Sequence, residues 1–290
     1  MIETIKKIPG LGPIVKRIGQ WRRDRKENAR VQDLWRKNSL LLERNKVLKN
    51  SLAGKRVFIL ATGPSVATQD LKALAGEACI SVSNFFVHPD FLLIKPAFHL
   101  FASSHRPISA EQFKAWFMDA EKHFPAGQKV FVSITDKPIV EDSGLFKKQN
   151  PHYYLLGNKK TDTLAEVDFT FPIPKTQTVV HHAILLAFYL GCKEICLVGV
   201  DHDWITHVGQ SMHFYKEQEH AMVRAGYKEG KMIDNQGRFK AYDNLFERYK
   251  EMQRYAEKRG IKIINCTPGG LLDVFPRKAL SDVINSDSSK

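Results

Sequence analysis

From Arg56 onward, short apolar runs alternate with longer stretches in which apolar positions recur at helical spacing. The strand-like runs are "RVFILA", "ACISVSN", "AFHLFAS", "QKVFVSI", "KEICLVGV" and "IKIINC". The helix-like stretches are "VATQDLKALAG", "SAEQFKAWFMDAEKHF", "TQTVVHHAILLAFYLG" and "AYDNLFERYKEMQRYAEKRG". Strands that alternate with helices across short joints predict an α/β fold, with a mostly parallel sheet covered by helices on both faces.

Two parts of this pattern are irregular. Residues 136–175 are interrupted by proline and glycine and carry scattered aromatic residues. Residues 202–240 are polar, aromatic and rich in histidine, which predicts a long loop or lid. The chain therefore divides into an extension at 1–54 and a main domain at 55–290, with the lid at about 202–240.

The extension is predicted to become helical from about Val31, because Pro9, Gly10, Gly12 and Pro13 interrupt the stretch before it. Leucines recur every seven residues, and asparagines occupy companion positions; the residues are Leu34, Leu41, Leu48, Asn38 and Asn45. Two interpretations are open: a short coiled coil with buried asparagines, or a basic helix whose leucines pack on the main domain.

The net positive charge of the chain is concentrated in its N-terminal extension. The chain has 290 residues and a formal net charge of +13. Residues 1–56 hold 16 Lys and Arg against 5 Asp and Glu, a net of +11, whereas residues 57–290 hold 28 against 26, a net of +2. A nucleic-acid-binding domain carries its charge on the folded core. The distribution instead favours an anionic membrane surface or an acidic partner contacted by residues 1–50.

The remaining composition indicates a cytosolic globular protein. Apolar residues make up 43% of the chain and charged residues 26%, enough to build a core. The four cysteines show no CxxC spacing, which favours reduced core thiols. No apolar run reaches the roughly 18 residues of a membrane span, and the N-terminus shows no signal peptide.

Polar residues follow several of the predicted strands. In open α/β sheets, ligands bind beyond the carboxyl ends of the strands. The turn Thr62-Gly63-Pro64-Ser65 follows the first strand, Asn84 follows the second and Ser103 follows the third. Gly63 would let backbone amides approach a ligand, and Ser65 would cap a helix that favours phosphate. Taken alone, each of these turns is explained as well by a structural role, as a capped turn, as by ligand binding.

The stretch "VGVDHDW" places Asp201, His202 and Asp203 after the fifth strand. An Asp-X-Asp pair at this position is typical of a Mg²⁺ or Mn²⁺ site, and alternatively Asp201 would hold a hydroxyl while a histidine acts as general base. The histidines at 202, 207 and 213 are too irregularly spaced for zinc. His181 and His182, at the start of an apolar helix, are interpreted as satisfied helix residues.

The strings "ILATGPSV", "SVSNFF", "HLFASS", "HHAILLAFYLGCKEICLVGVD" and "RYAEKRGIKIINCTPGGLLDVF" occur in this order. Over about residues 56–276 they resemble the bacterial sialyltransferases of glycosyltransferase family 42. They are similar also to 6-hydroxymethylpterin pyrophosphokinase-like domains of surface-polysaccharide clusters. The resemblance implies a Rossmann-like, GT-A-like fold with a mobile lid, a CMP-activated sugar donor and no required metal.

The resemblance also implies site residues. Those near the donor are Thr62, Gly63, Pro64, Ser65, Asn84, Ser103 and Thr178, and Tyr215 of the lid would stabilise the leaving phosphate. Two departures matter: Ala61 replaces the first glycine of GxGPS, and "DNQGRFKAYDN" lacks the family's base histidine. His213 is then the candidate base, with His207 and His202 behind it, and Asp201 is the further catalytic candidate, as the residue that holds a hydroxyl.

These observations predict a cytoplasmic glycosyltransferase, peripheral on the inner face of the membrane. It would move a sugar from a nucleotide-activated donor to a cell-surface glycan or a lipid-linked acceptor in lipopolysaccharide or capsule assembly. Nucleic acid is not an expected partner, and self-association is left open. The alternatives are an ATP-dependent diphosphokinase-like transferase, with Asp201 and Asp203 binding the metal, and a non-catalytic nucleotide-binding membrane scaffold.

Overall fold

The computed structural model describes residues 11–105, 107–206, 212–225 and 234–285. Seven strands form one sheet, and every neighbouring pair is parallel. The strands are β1 (Arg56–Leu60), β2 (Cys79–Val82), β3 (Phe98–Leu100), β4 (Lys129–Ser133), β5 (His152–Tyr154), β6 (Glu194–Val198) and β7 (Lys262–Asn265). The predicted α/β fold with a parallel sheet is thereby confirmed.

The strand order is β5-β4-β3-β2-β1-β6-β7. The chain builds outward from β1 to β5 on one side, then returns to place β6 against the other side of β1. Phe58 of β1 is paired with Cys79 of β2 and with Cys196 of β6. The order of the strands therefore reverses between β1 and β6, and such a reversal opens a crevice at the carboxyl edge of a sheet.

Eight α-helices lie in the described residues. They are α1 (Leu11–Glu43), α2 (Phe91–Ile94), α3 (Ala110–His123), α4 (Lys137–Asp142), α5 (Val179–Tyr189), α6 (Ala221–Arg224), α7 (Asn235–Glu257) and α8 (Leu280–Asn285). The predicted capping box begins α3: Ser109 accepts from the backbone of Gln112, whose side chain accepts from Ser109. None of the helices in the described ranges is long and apolar enough to cross a membrane.

Alternate residues of β1 belong to two different cores. Val57 and Ile59 pack in the layer that contains α5 and α7. Phe58 and Leu60 pack in the opposite layer, which contains α3 and the second half of α1. Both faces of the sheet are therefore covered, which explains why its strands read as continuous apolar runs.

The stretch "VATQDLKALAG" does not form the predicted helix. It contains two 3₁₀ turns, Pro64–Thr68 and Lys72–Leu74. Gln69 between them is extended, and its side chain donates to Cys266 O at 3.0 Å. Side chains also bond nearby backbone, since Thr68 Oγ1 donates to Ser65 O and Lys72 N donates to Asp70 Oδ1. Such local bonds compete with a regular helix.

Two further boundaries differ from the prediction. Strand β5 lies inside 136–175, where no strand was expected; it has three residues and its periodicity is too short to detect. Helix α1 begins at Leu11 rather than near Val31. Pro13 is tolerated because it lies in the first helical turn, where the backbone N–H has no helical acceptor.

The asparagine at the end of the extension binds the protein's own core. Asn45 is fully buried, its amide donates to Tyr153 O at 2.8 Å and to Phe169 O at 3.0 Å, and its carbonyl contacts His152 Nδ1 at 2.9 Å. Leu48 is buried in the main core. Of the two interpretations, the structure shows the helix packed on the domain, and Asn45 anchors it to β5.

Candidate functional site

A cavity of about 360 Å³ opens where the strand order reverses between β1 and β6. Its walls come from residues 61–63 after β1, 82–83 at the end of β2, 177–180 at the start of α5, 199–204 after β6, 212–213 of the lid, and 241 and 245 of α7. Thr62, Gly63, Thr178, Asp201, His202, Asp203 and His213, all predicted from the sequence as site residues, line this cavity. The topology therefore gathers residues that are up to about 150 positions apart in the chain.

A buried carboxylate joins the ends of β1 and β6. Asp201 is 5% exposed; its Oδ1 accepts from Ser65 N at 3.1 Å and its Oδ2 accepts from Ser65 Oγ at 2.8 Å. Burial raises the pKa of Asp201, and the two bonds from Ser65 oppose that rise. Ser65 thus donates to Asp201 rather than capping a following α-helix. The joint fixes the Thr62–Ser65 turn against the loop after β6.

Glycine at 63 is required by this joint. Its φ of −63° is ordinary, so no special dihedral angle explains the glycine. A Cβ at this position would lie 1.8 Å from Asp201 Oδ2 and 2.6 Å from Gly199 O. The close approach that the glycine permits is therefore made by the protein's own loop. Any larger side chain must displace Asp201, so the close approach at Gly63 is to the protein's own loop and not, as the sequence predicted, to a ligand.

The residue between the two aspartates has an unusual backbone. His202 has a φ of +47°, the left-handed region that few non-glycine residues adopt. Its Nε2 lies 2.6 Å from the hydroxyl of the fully buried Tyr249. Burial lowers the pKa of His202 to about 4, so the ring is neutral at physiological pH. In this conformation His202 holds the loop to α7.

The same tyrosine reaches the segment that leads into α5. The ring of His181 lies 4.1 Å from that of Tyr249, and His181 Nδ1 accepts from Gln177 N at 3.2 Å. His182 Nε2 lies 2.6 Å from Thr176 Oγ1. Both imidazoles are buried, and burial lowers the pKa of each. Each ring bonds through one nitrogen, but His181 Nε2 and His182 Nδ1 have no hydrogen-bond partner in the described part of the chain, so the two histidines are only half satisfied. The pair holds the segment 176–178 at the rim of the cavity.

The beginning of α5 forms a polar end of the cavity. Thr178 is the N-cap residue, but its side chain does not accept a hydrogen bond from the helix. Val179 and Val180 of the first turn border the cavity. The first amides of a helix have no intrahelical acceptor and carry partial positive charge, so this end favours an anion such as phosphate.

The lid closes over Thr62. His213 Nδ1 lies 3.2 Å from Thr62 Oγ1 and 3.3 Å from Thr62 O, and Phe214 N donates to Thr62 O at 3.2 Å. The rings of His213 and Tyr215 are stacked, with centroids 4.9 Å apart. His213 borders the cavity, and its neighbour Phe214 packs against the layer opposite that of α5. His207, another candidate, lies outside the described residues.

Two predicted donor residues lie elsewhere. Asn84 is buried, and its Oδ1 accepts from Trp116 Nε1 of α3 at 2.5 Å. Ser103 Oγ lies 3.1 Å from Thr135 Oγ1, beyond the ends of β3 and β4. Neither residue borders the cavity, and Pro64, Ser65 and Tyr215 lie next to lining residues without lining it themselves. Pro64 begins the 3₁₀ turn behind Gly63.

Sequence reasoning did not select Gln177, Trp204 or Tyr249. Gln177 and Trp204 line the cavity, and Tyr249 bonds His202. Gln177 and Trp204 are next to selected residues, so proximity to Thr178 and Asp203 was an available signal. Tyr249 carried none, because it is one of several aromatic residues on the core face of α7.

The arrangement offers few ligands for a metal ion. Within the described ranges, no group of three or more His, Cys, Asp or Glu side chains could hold a metal. Both carboxylate oxygens of Asp201 are occupied by Ser65, although Asp203 borders the cavity. The predicted Mg²⁺ or Mn²⁺ at Asp201 and Asp203 stays a prediction, as does the absence of a required cofactor.

The fold and the cavity together define a doubly wound α/β protein with a crevice at its topological switch point. No protein-family model matches the chain, and no curated protein matches it. Among solved structures, the chain is similar to the sialyltransferase CstII from Campylobacter jejuni in complex with the substrate analogue CMP-3FNeuAc. The identity is 17% over 78% of this chain and 86% of that chain, with a TM-score of 0.46.

A second structure of the same sialyltransferase, with cytidine-5'-monophosphate, is 18% identical over 78% of this chain and 86% of that chain, with a TM-score of 0.42. Neither structure bears on the resemblance to pterin pyrophosphokinase-like domains, which stays a prediction.

Proposed function

We propose that this protein is a glycosyltransferase that moves a sugar from a nucleotide-activated donor to a hydroxyl of an acceptor. The observation that carries the proposal is the cavity between β1 and β6, which is lined both by the start of α5 and by His213. Helix α5 belongs to one layer, and Phe214, next to His213, packs against the other. An anion-binding end and a candidate base across one crevice are the two groups that such a transfer needs. The sequence resemblance supports the same class.

The donor phosphate would bind at the start of α5. Val179 and Val180 lie at the helix N-terminus, whose dipole and amides favour negative charge. Asp201 and Asp203 of the loop after β6 also line the cavity, and their carboxylates would repel a phosphate. Charge thus orients the donor, with its phosphate toward α5 and its sugar toward the loop after β6.

His213 is the proposed general base. Thr62 O can only accept, so the nearby Nδ1 carries the ring proton when it bonds this carbonyl. The ring then has its lone pair on Nε2, the nitrogen that would take a proton. The contacts with Thr62 and the stacking on Tyr215 fix the plane of the ring.

The reaction would be a single inverting displacement. The acceptor oxygen attacks the anomeric carbon while its proton passes to His213 Nε2, and the bond from that carbon to the phosphate oxygen breaks. The negative charge that develops on the leaving nucleotide is stabilised by the first amides of α5. Tyr215 and the rest of the lid exclude water, which would otherwise hydrolyse the donor.

The proposal extends to the identity of the donor, the acceptor and the metal requirement. The donor would be a CMP-sugar resembling CMP-sialic acid, and the acceptor a cell-surface glycan or glycolipid assembled at the cytoplasmic side of the membrane. No step of the mechanism uses a metal, so we expect activity to persist in a chelator. Loss of all activity in a chelator, restored by Mg²⁺ or Mn²⁺, would assign the metal role to Asp203.

The experiment is a thermal-shift panel of CMP, UDP, GDP and ADP, followed by hydrolysis and transfer assays with the sugar donors of the nucleotides that bind. We expect His213→Ala to lower transfer about 100-fold or more while nucleotide binding changes little. His105→Ala, an exposed histidine after β3, is the matched control and should transfer normally.

AMP release from ATP without sugar transfer would favour the diphosphokinase alternative. Nucleotide binding without hydrolysis or transfer, over a broad donor panel, would favour the non-catalytic scaffold. Equal transfer in His213→Ala and in the control would remove His213 as the base.

A further inference from the structure

Helix α1 extends well beyond the domain on which it packs. Its 33 residues correspond to a length of about 50 Å. Val31 is 4% exposed, and the side chains that follow it contact the core. Between Arg17 and Arg30, by contrast, no side chain is buried. Near its end, Asn28 Oδ1 accepts from Asn158 Nδ2 of the domain at 3.2 Å. A helix of about 14 residues with so little tertiary contact is marginal in water, so this stretch is suited to a surface that would cover it.

The uncovered stretch, residues 17–30, is strongly basic. It contains six Lys and Arg and two Asp and Glu, a net charge of +4. The two acids are already engaged, because Glu27 pairs with Arg30 and Asp24 accepts from Gln20. The positive field is concentrated here, since residues 57–290 have a net charge of only +2. The complementary surface is therefore anionic.

Two large apolar side chains are exposed among these cations. Ile18 is 48% exposed and Trp21 is 59% exposed. They are three positions apart and share a helix face with Arg22 and Arg25, and the Arg25 guanidinium lies 5.4 Å from the centroid of the Trp21 ring. Exposed tryptophan flanked by arginine is typical of helices that lie in the interface of a bilayer.

We propose that residues 17–30 of α1 form a membrane-docking surface for anionic lipid. The arginines and Lys26 contact the headgroups, and Ile18 and Trp21 insert among the upper acyl chains. The apolar pair distinguishes lipid from nucleic acid, because phosphate contacts need the cations but gain little from an exposed isoleucine. The docked helix would hold the domain near a lipid-linked acceptor, yet the docking does not depend on the proposed activity.

The test is flotation of the full-length protein with phosphatidylcholine vesicles that contain none or about 30 mol% phosphatidylglycerol, at about 0.05 M and about 0.5 M NaCl. We expect binding only to the anionic vesicles and mainly at low salt. Arg22→Glu with Arg25→Glu should weaken binding about tenfold or more. Lys258→Glu with Lys262→Glu, at the β7 edge of the sheet, changes the total charge equally and should bind normally.

The insertion of apolar side chains into the bilayer is tested with Trp21→Ala, which should weaken binding to anionic vesicles several-fold. Leu40→Ala is the control. Leu40 is 83% exposed on the same helix but lies outside the surface. Brominated lipid should quench fluorescence in the wild type and much less in Trp21→Phe. Absence of flotation at low salt would overturn the proposal. So would RNA binding tighter than vesicle binding, with no effect of Trp21→Ala.

Discussion

Two places at the carboxyl edge of the sheet contain the same pair of side chains, but only one of them borders the cavity between β1 and β6. After β6, Asp201 accepts from the backbone and the hydroxyl of Ser65. After β4, the fully buried Asp136 accepts in the same way from the backbone N, at 2.9 Å, and the hydroxyl of Ser104. In each pair the serine follows a neighbouring strand, so the aspartate ties two strand ends together.

The difference lies in the order of the strands. Ser65 and Asp201 follow β1 and β6, which flank the reversal, whereas Ser104 and Asp136 follow β3 and β4, which are laid down successively in one direction. The chain diverges on leaving the first pair of strands and leaves a crevice. A buried Asp-Ser pair is thus a structural joint in both places. Topology alone puts one of them beside the cavity.

The largest expected effect is on sugar transfer, which should depend on the Asp201–Ser65 pair but not on the Asp136–Ser104 pair. Asparagine keeps only one acceptor oxygen, so Asp201→Asn leaves one Ser65 donor unpaired and loosens the turn that lines the cavity. We expect sugar transfer to fall about 100-fold, because a misplacement of about 1 Å is enough for such a loss. Asp136→Asn is the matched control, with transfer within about twofold of wild type. Equal losses in both variants would mean that the two regions do not differ in function.

The free energy of unfolding, in contrast to activity, should fall by similar amounts in Asp201→Asn and Asp136→Asn. Each Asp→Asn change leaves a buried donor without an acceptor, at a cost of about 1–3 kcal/mol in the free energy of unfolding. Urea denaturation measures both values. A large loss confined to Asp201→Asn would show that the joint beside the cavity also contributes more to the fold.

The next largest effect is on the packing of Gly63 against Asp201. In Gly63→Ala the new Cβ would overlap Asp201 Oδ2, so we expect a loss of about 2–4 kcal/mol in the free energy of unfolding and weaker nucleotide binding. Gly54→Ala is the control: its φ of +75° is strained for alanine, but no atom lies within 4 Å, and about 1 kcal/mol is expected. A stable Gly63→Ala protein would show that the loop after β6 moves freely.

Two buried tyrosines allow a smaller comparison. Tyr249 bonds His202 beside the cavity, whereas Tyr154 donates to Phe101 O behind the β3–β4 joint, at 2.8 Å. Replacing either with phenylalanine should cost about 1–2 kcal/mol of unfolding free energy. Only Tyr249→Phe should weaken nucleotide binding several-fold, measured by calorimetry. Unaltered affinity would show that the left-handed His202 is held by other contacts.

The smallest effect is on pH dependence. The pKa of His202 falls from 6.5 to about 4 on burial, and that of His99 of β3 falls to about 3. A lowered pKa means that the unfolded chain binds the proton more readily, so stability is full above pH 6.5 and is lost as pH falls toward 4. The raised pKa values of Asp201 and Asp136 act in the opposite sense and offset part of the loss.

Melting temperature measured from pH 7 to pH 4 should therefore fall. The fall should be shallower in His202→Gln and in His99→Gln by similar amounts, each compared with wild type. A profile unchanged in both variants would show that these imidazoles are not buried neutral in solution.

The sequence by itself determined the class of the fold and the edge of the sheet at which the cavity opens. Apolar runs fixed six of the seven strands, because buried parallel strands are apolar on both faces. The glycine and polar residues after those runs indicated Thr62, Gly63 and Asp201 as neighbours of a crevice. The charge count placed the basic segment at the N-terminus, since charge is additive along a chain.

Tertiary structure decided which of these side chains meet. Asn84 was as good a candidate as Asp201 in the sequence, yet it turns toward Trp116 in the opposite layer. Asp136 was unremarkable in the sequence, yet it repeats the Asp201 joint. Side chains at a strand end can enter either layer or the crevice, and the choice depends on strand order and on packing between residues distant in the chain. Local periodicity carries neither kind of information.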